Sequence, residues 1–170
     1  LAFALPAPAA MAEGTITFTS FGGAFQEAQR KALLEPTAKA MGITILEDTL
    51  TGIAEVRAQV LAGAVTWDIV DLGLADCAAA QAEGILEPLD YSIISTEGFD
   101  PAAYSDAWAG IIYFSTVLAY DGDLYTDETP NSWADFWDVE KFPGARSLRN
   151  NPVGTLEIAL MADGVPFDEV

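Results

Sequence analysis

The change of hydrophobic period along residues 15–84 constrains this chain more than any other feature. "TITFTS" (Thr15 to Ser20) alternates at period two, as a strand does. Phe25 to Leu34 follows at helical spacing, with Phe25, Ala28 and Ala32 about one turn apart. Pro36 is expected to end or kink that helix, and Gly42 to stop the turn "TAKAM". "ITILED" (Ile43 to Asp48) returns to strand. Thr51-Gly52 opens a second helix, with Ile53, Val56 and Val60 on one face. Ile69 to Leu72 is short and almost continuously apolar, as a buried parallel strand should be. Ala75 to Glu83 reads as a third helix, stopped by Gly84. Three strand–helix units in succession predict an α/β fold, a parallel sheet with helices on its faces.

In such sheets ligands bind beyond the carboxyl ends of the strands. Those ends are Ser20-Phe21-Gly22-Gly23, Thr49-Leu50-Thr51-Gly52 and Gly73-Leu74-Ala75, each before a helix N-terminus. Ser20 and Phe21 stand at the mouth of the first strand, and Phe21 is either a ligand wall or core. Gly22 and Gly23 let backbone approach a ligand closely, or only turn the chain into the helix. Thr51 and Gly52 offer hydroxyl and amide contacts, or simply cap. Gly73 and Leu74 complete the third strand end. Asp48, at the exit of the second strand, is a candidate for meeting a cation, or a solvated turn acid. Asp68 precedes the third strand, at the wrong end for a site, and reads as structural. Asp71 lies one residue short of that strand's carboxyl end.

Composition narrows the chemistry. The 170 residues contain no His, which removes Ser-His triads, His bases and His-containing zinc sites. The single Cys77, in "ADCAAA", cannot form an internal disulfide and reads as a small buried hydrophobe rather than a nucleophile. Seven Lys and Arg against 26 Asp and Glu give net charge −19, which repels nucleic acid and anionic membrane and attracts cations. The first glycine turn lacks the Lys-Ser or Lys-Thr of a phosphate loop and the full G-x-G-x-x-G fingerprint. The expectation is a binding protein, not an enzyme, with no cofactor and no metal.

The remaining segments are less regular. Residues 1–12, "LAFALPAPAAMA", are apolar and uncharged and end in Ala10-Met11-Ala12, the small-x-small pattern of a signal-peptidase site. They read as a signal-peptide remnant, with the mature chain starting near Glu13, or as a disordered tail. Asp90 to Gly110 is loop-rich. "GIIYFSTVLAYD" (Gly110 to Asp121) is a long β-type run that could cross between lobes. Asn131-Ser132 opens a helix, and Ser132 with Asp135 fits a capping box. "FPGARSLRN" suggests a turn and a short strand, and Thr155 to Ala162 one more helix.

Three stretches resemble a known family: "TFTSFGGAFQEAQRKALLEP", "WDIVDLGLADCAAAQAEGILEPLD" and "GIIYFSTVLAYDGDLYTDETPNSWADFWDVEKFPG". They are similar to the substrate-binding proteins of bacterial ABC transporters, specifically the spermidine/putrescine-binding branch. "NSWADFW" is the most specific of these motifs. The resemblance implies a periplasmic-binding-protein-like, two-lobed receptor that closes over a small polyamine and delivers it to a membrane permease. It implies a monomeric, periplasmic protein. Residues 13–114 would form the first α/β lobe, and 115–170 the crossover and start of an incomplete second lobe. Such proteins are longer, so the chain looks like an N-terminal fragment, and its exposed apolar surface would make it poorly soluble alone.

The same resemblance places Tyr113 where the family carries an aromatic residue beside the ligand; on its own residues Tyr113 is a stacking wall or core. It places Asn150 and Asn151 where the polyamine branch commonly has acids. Two neutral amides beside Arg149 depart from a polyamine site, because an Arg facing the ligand favours a carboxylate. A different small solute in the same receptor fold, an amino acid, organic anion or sugar, is therefore the alternative. A phosphate-binding enzyme is the more distant one.

Overall fold

The structure, a computed structural model, describes residues 14–170. The leader expected at residues 1–12 and the mature start near Glu13 lie outside the described residues. The chain divides into two compact units, one reaching to Gly110 and the other Ile111–Val170.

The first unit holds a three-stranded parallel sheet of β1 (Thr15–Ser20), β2 (Thr44–Thr49) and β3 (Ile69–Val70), in the order β2-β1-β3. The register runs from Thr15↔Thr44 to Ser20↔Thr49 on one side of β1, and pairs Phe18↔Ile69 and Thr19↔Val70 on the other. Between the strands lie α1 (Gly23–Gln29), a π-helical turn Arg30–Leu34, α2 (Glu35–Met41) and α3 (Ile53–Ala62), and α4 (Leu74–Ala82) follows β3. The α/β expectation is met. Phe18, Leu34, Leu50, Val56 and Ala80 form the apolar core.

Three details of this unit differ from the sequence-based expectation. Pro36 does not end the first helix. It sits in the first turn of α2, directly after the wider π-turn, which is where a residue lacking an N–H is tolerated. The Gly42 stop holds, with a left-handed cap at φ 65. The buried face of α1 is not the one carrying Phe25, Ala28 and Ala32, which are all exposed; Gln26 and Gln29 are buried instead. Finally, β3 is two residues long and Ile69 is 48% exposed. Among the described residues β3 pairs only with β1, so it is an edge strand of this sheet.

The second unit contains α5 (Trp133–Trp137) and α6 (Pro152–Ala162). The Ser132 hydroxyl caps α5 by accepting from the Asp135 N–H at 3.0 Å. The return bond of the capping box closes one residue early, because Asp135 Oδ2 accepts from the Asn131 N–H at 3.0 Å. Helix α6 is non-helical at Val153 and Gly154, so its regular part begins at Thr155 as the sequence suggests. Phe142 is buried, with its ring edge-on to Tyr125 at 5.8 Å.

Two expected strands do not form. Gly110 to Asp121 has no strand hydrogen bonding, and Ile111, Ile112, Tyr113, Phe114 and Val117 are exposed. A strand needs a partner for its N–H and C=O groups, and no pairing is made to this run among the described residues. The segment around "GARSLRN" is also irregular. The Arg146 guanidinium donates to the carbonyls of Phe136, Asp138, Phe142 and Gly144, tying this segment to the end of α5 and the turn after it. Among the described residues, no helix is long and apolar enough to cross a membrane.

Candidate functional site

The sheet order places the site. The chain moves from β1 to β2 on one side and then to β3 on the other, so the connections diverge at the carboxyl ends of β1 and β3. Open α/β sheets hold ligands at such a switch point. The residues there are Phe21-Gly22-Gly23 after β1 and Gly73-Leu74 after β3. A shallow depression bounded by Gly14, Thr15, Gly42 and Thr44 lies at the opposite end of the strands and is not this site.

Gly22 has φ 73 and ψ −168, a region that side chains other than Gly essentially avoid. A Cβ on it would also meet Thr49 Cγ2 at 3.3 Å. This turn sets Phe21 and Phe25 side by side, with ring centroids 6.4 Å apart and both rings partly exposed. Phe25, which the sequence places on one helix face with Ala28 and Ala32, is thus half-exposed beside Phe21. The available signal was its spacing of four from Phe21 across the glycines.

Behind the turn is a buried polar cluster that sequence reasoning missed. Ser20 is fully buried, and its hydroxyl lies 2.7 Å from Gln29 Oε1 and 3.1 Å from Asp71 Oδ2. Gln29 Nε2 donates to the same Asp71 oxygen at 2.7 Å. Gln26 accepts from the Gly22 N–H at 2.9 Å and donates to Glu47 Oε2 and to the Asp48 carbonyl, both at 3.1 Å. The Ser20 hydroxyl, expected to face a ligand, is therefore turned inward to support the turn. Asp71 ends among the same partners.

Glu47, Asp48 and Glu55, near the strand ends, are also partnered. Glu47 receives Arg30 through Nε at 2.5 Å and Nη2 at 3.1 Å, and this guanidinium, with Gln26 adding to it, holds the carboxyl below its usual range. Asp48 accepts from Trp67 Nε1 and from the Thr49 N–H, each at 2.8 Å, and those bonds lower its pKa in that order. The candidate cation partner thus already accepts from an indole in the segment before β3. Thr51 donates its hydroxyl at 2.6 Å and its N–H at 3.0 Å to Glu55 Oε1, so its side chain serves the entry to α3, whose cap is Gly52. Gly73 is extended with open space at its Cβ position, and Leu74 is 63% exposed. Burial, followed by Asp71 and Asp76, pushes the Cys77 thiol up to about 11. A thiol held protonated in this way is a poor nucleophile.

Tyr113, Asn150 and Asn151 belong to the second unit. Tyr113 is 79% exposed. Asn151 caps α6, its Oδ1 accepting from the Val153 N–H at 2.9 Å. Asn150 and Arg149 are exposed, and the Arg149 carbonyl accepts from Thr155 Oγ1 at 3.0 Å. Among the described residues Arg149 makes no ion pair, whereas Arg30, Lys31, Arg57 and Lys141 each do.

Known proteins are similar to this chain in sequence and in fold. The γ-aminobutyric acid-binding protein of Pseudomonas aeruginosa is 37% identical over 172 residues, covering 100% of this chain and 48% of that protein. The crystal structure of the periplasmic binding protein MotA from A. tumefaciens B6, in complex with glucopine, superposes with TM-score 0.86 at 46% identity, over 91% of this chain and 48% of that one. The binding protein AgtB from A. tumefaciens R10, in complex with agropinic acid, gives TM-score 0.83 at 35% identity, over 92% and 48%. The chain thus spans about half the length of these relatives. Residues 32–170 match the family described as bacterial extracellular solute-binding protein, and the chain belongs to that family.

Proposed function

We propose that the intact protein is a periplasmic receptor that captures a small amino-acid-derived carboxylate and hands it, chemically unchanged, to the permease of an ABC transporter. The observation that carries the choice of ligand is the state of the acids. Glu47, Asp48, Glu55 and Asp71, which surround the strand ends, are each bound to a donor of the protein itself. Each ammonium group of a polyamine needs a carboxylate in exchange for its lost hydration, and these four already serve donors of the protein, with Glu55 Oε2 left without a partner. A ligand carboxylate needs a cation or amide donors instead. Arg149 and Asn150, both exposed, are of that kind.

The named relatives support this reading: their ligands are γ-aminobutyric acid, glucopine and agropinic acid. The net charge of −19 favours the polyamine reading and makes it the second one. Calorimetry of the intact protein against γ-aminobutyric acid, agropinic acid, putrescine and spermidine separates the two. Heat and a raised Tm are expected with an acid and not with either polyamine, and the ligand is recovered unaltered. Binding of a polyamine alone would sink the proposal.

A further inference from the structure

We propose that Gln26 and Gln29 are positioning residues, two buried amides that fix the shape of the Phe21–Phe25 turn before any solute arrives. The proposal rests on reading that turn as a ligand wall. A helix covering a sheet ordinarily buries an apolar stripe. On α1 the buried side chains are instead Gln26, 4% exposed, and Gln29, 5% exposed. Burying a primary amide is unfavourable unless its hydrogen bonds are made.

Here they are made to selected partners. Spaced three apart, the two glutamines share one face of the helix. Between them they reach all three strand ends: Gln29 the Ser20 hydroxyl at the end of β1 and the Asp71 carboxylate after β3, Gln26 the Asp48 carbonyl in β2. Gln26 also accepts from the N–H of Gly22, the residue on which the turn pivots, while its own N–H donates to the Gly22 carbonyl at 3.2 Å. Leu or Met at these positions would fill the same volume with no preferred direction. Two amides with directional partners hold α1 in one orientation, and with it the Phe25 ring that packs beside Phe21.

Two variants of the intact protein test this. In Gln26→Met the Gly22 amide is expected to exchange its hydrogen about ten-fold faster, the loss of one bond of ordinary strength, while the amides of Phe18 and Thr19 in β1 keep their rates. Gln29→Glu sets a second carboxylate against Asp71, and affinity for γ-aminobutyric acid is expected to fall about ten-fold at neutral pH. Adding Asp71→Asn restores one amide and one carboxylate to the pair, and with them the affinity. Unchanged Gly22 exchange, or equal acceleration throughout β1, would overturn the proposal. So would a double variant that binds no better than Gln29→Glu alone. If the unaltered protein binds no γ-aminobutyric acid, the ligand reading is what suffers, and exchange at Gly22 still decides the positioning role.

Discussion

Residues 15–70 and residues 110–121 are both rich in β-type sequence, yet only the first forms a sheet. In the first unit each strand finds a neighbour in register, so Thr15 to Ser20 is bonded on both edges for part of its length. In the second unit the run from Ile111 to Asp121 is largely exposed and joins no sheet among the described residues. Helices α5 and α6 form beside it all the same. A helix supplies its own hydrogen-bond partners, whereas a strand borrows them from another segment. Strand propensity is therefore a promise that tertiary structure has to keep. The second unit is held mainly by rings and one guanidinium. Tyr125 packs edge-on to Phe142, Trp133 to Phe136 and Phe136 to Trp137, while Arg146 gathers four carbonyls.

This contrast makes Phe142 the most sensitive position in the second unit. It is 3% exposed and has no sheet behind it to share the loss. Phe142→Ala is expected to cost about 3–5 kcal/mol, the range for deleting a buried ring. Hydrogen exchange should show the loss concentrated in Ile111–Val170, with β1 amides keeping their protection. Equal loss in both units would break the comparison.

The parts legible in the sequence were those set by neighbours along the chain. The strand Thr15–Ser20, the stop at Gly42 and the Ser132 cap all rest on signals within a few residues. The parts that were not legible rest on distant partners. Nothing near Gln29 says that Asp71, 42 residues on, will receive its amide. A glutamine reads as surface until its partner is known. In the same way Asp48 looked available until Trp67 was seen to bind it. The ligand was harder still. The motif "NSWADFW" reports the family well because it builds a helix cap and a cluster of rings in α5. A motif that builds the scaffold carries no information about the solute.

A second prediction concerns the turn at the strand ends of the first unit. Gly22→Ala places a Cβ where the backbone has φ 73 and ψ −168, and 3.3 Å from Thr49 Cγ2. The expected cost is about 1–3 kcal/mol, the usual strain of that region. Gly73→Ala is the control, at the matching place after β3. Its backbone is extended at φ −65 and ψ 153, and its Cβ position is open. Its expected effect on the denaturant midpoint is small, because the gain from a less flexible unfolded chain, about 0.4–1 kcal/mol, is opposed by the poorer cap that Ala makes for α4. Equal effects at the two glycines would mean that the β1 turn is not the special one.

The smallest expected effect compares one ion pair from each unit. Arg30 and Glu47 have side chains 43% and 21% exposed, and their contact is a two-pronged one. Lys141 and Glu128 are 43% and 65% exposed, with one contact at 2.5 Å. Glu47 is held below its usual pKa, first of all by the hydrogen bond from Arg30. A depressed carboxyl adds stability above its unfolded value, about 4.3, and loses it as pH falls through the lower folded value. Arg30→Gln removes the chief cause of the depression. Its destabilisation should therefore be full at pH 7 and shrink toward zero as the pH drops below about 4. Lys141→Gln, which breaks the more exposed pair, should change the pH 7 midpoint less, since solvent screens such a pair. Urea midpoints at pH 7, 5 and 3 read both. A larger effect from Lys141→Gln, or an Arg30→Gln deficit that grows toward acid, would reverse the ranking of the two units in their use of charge.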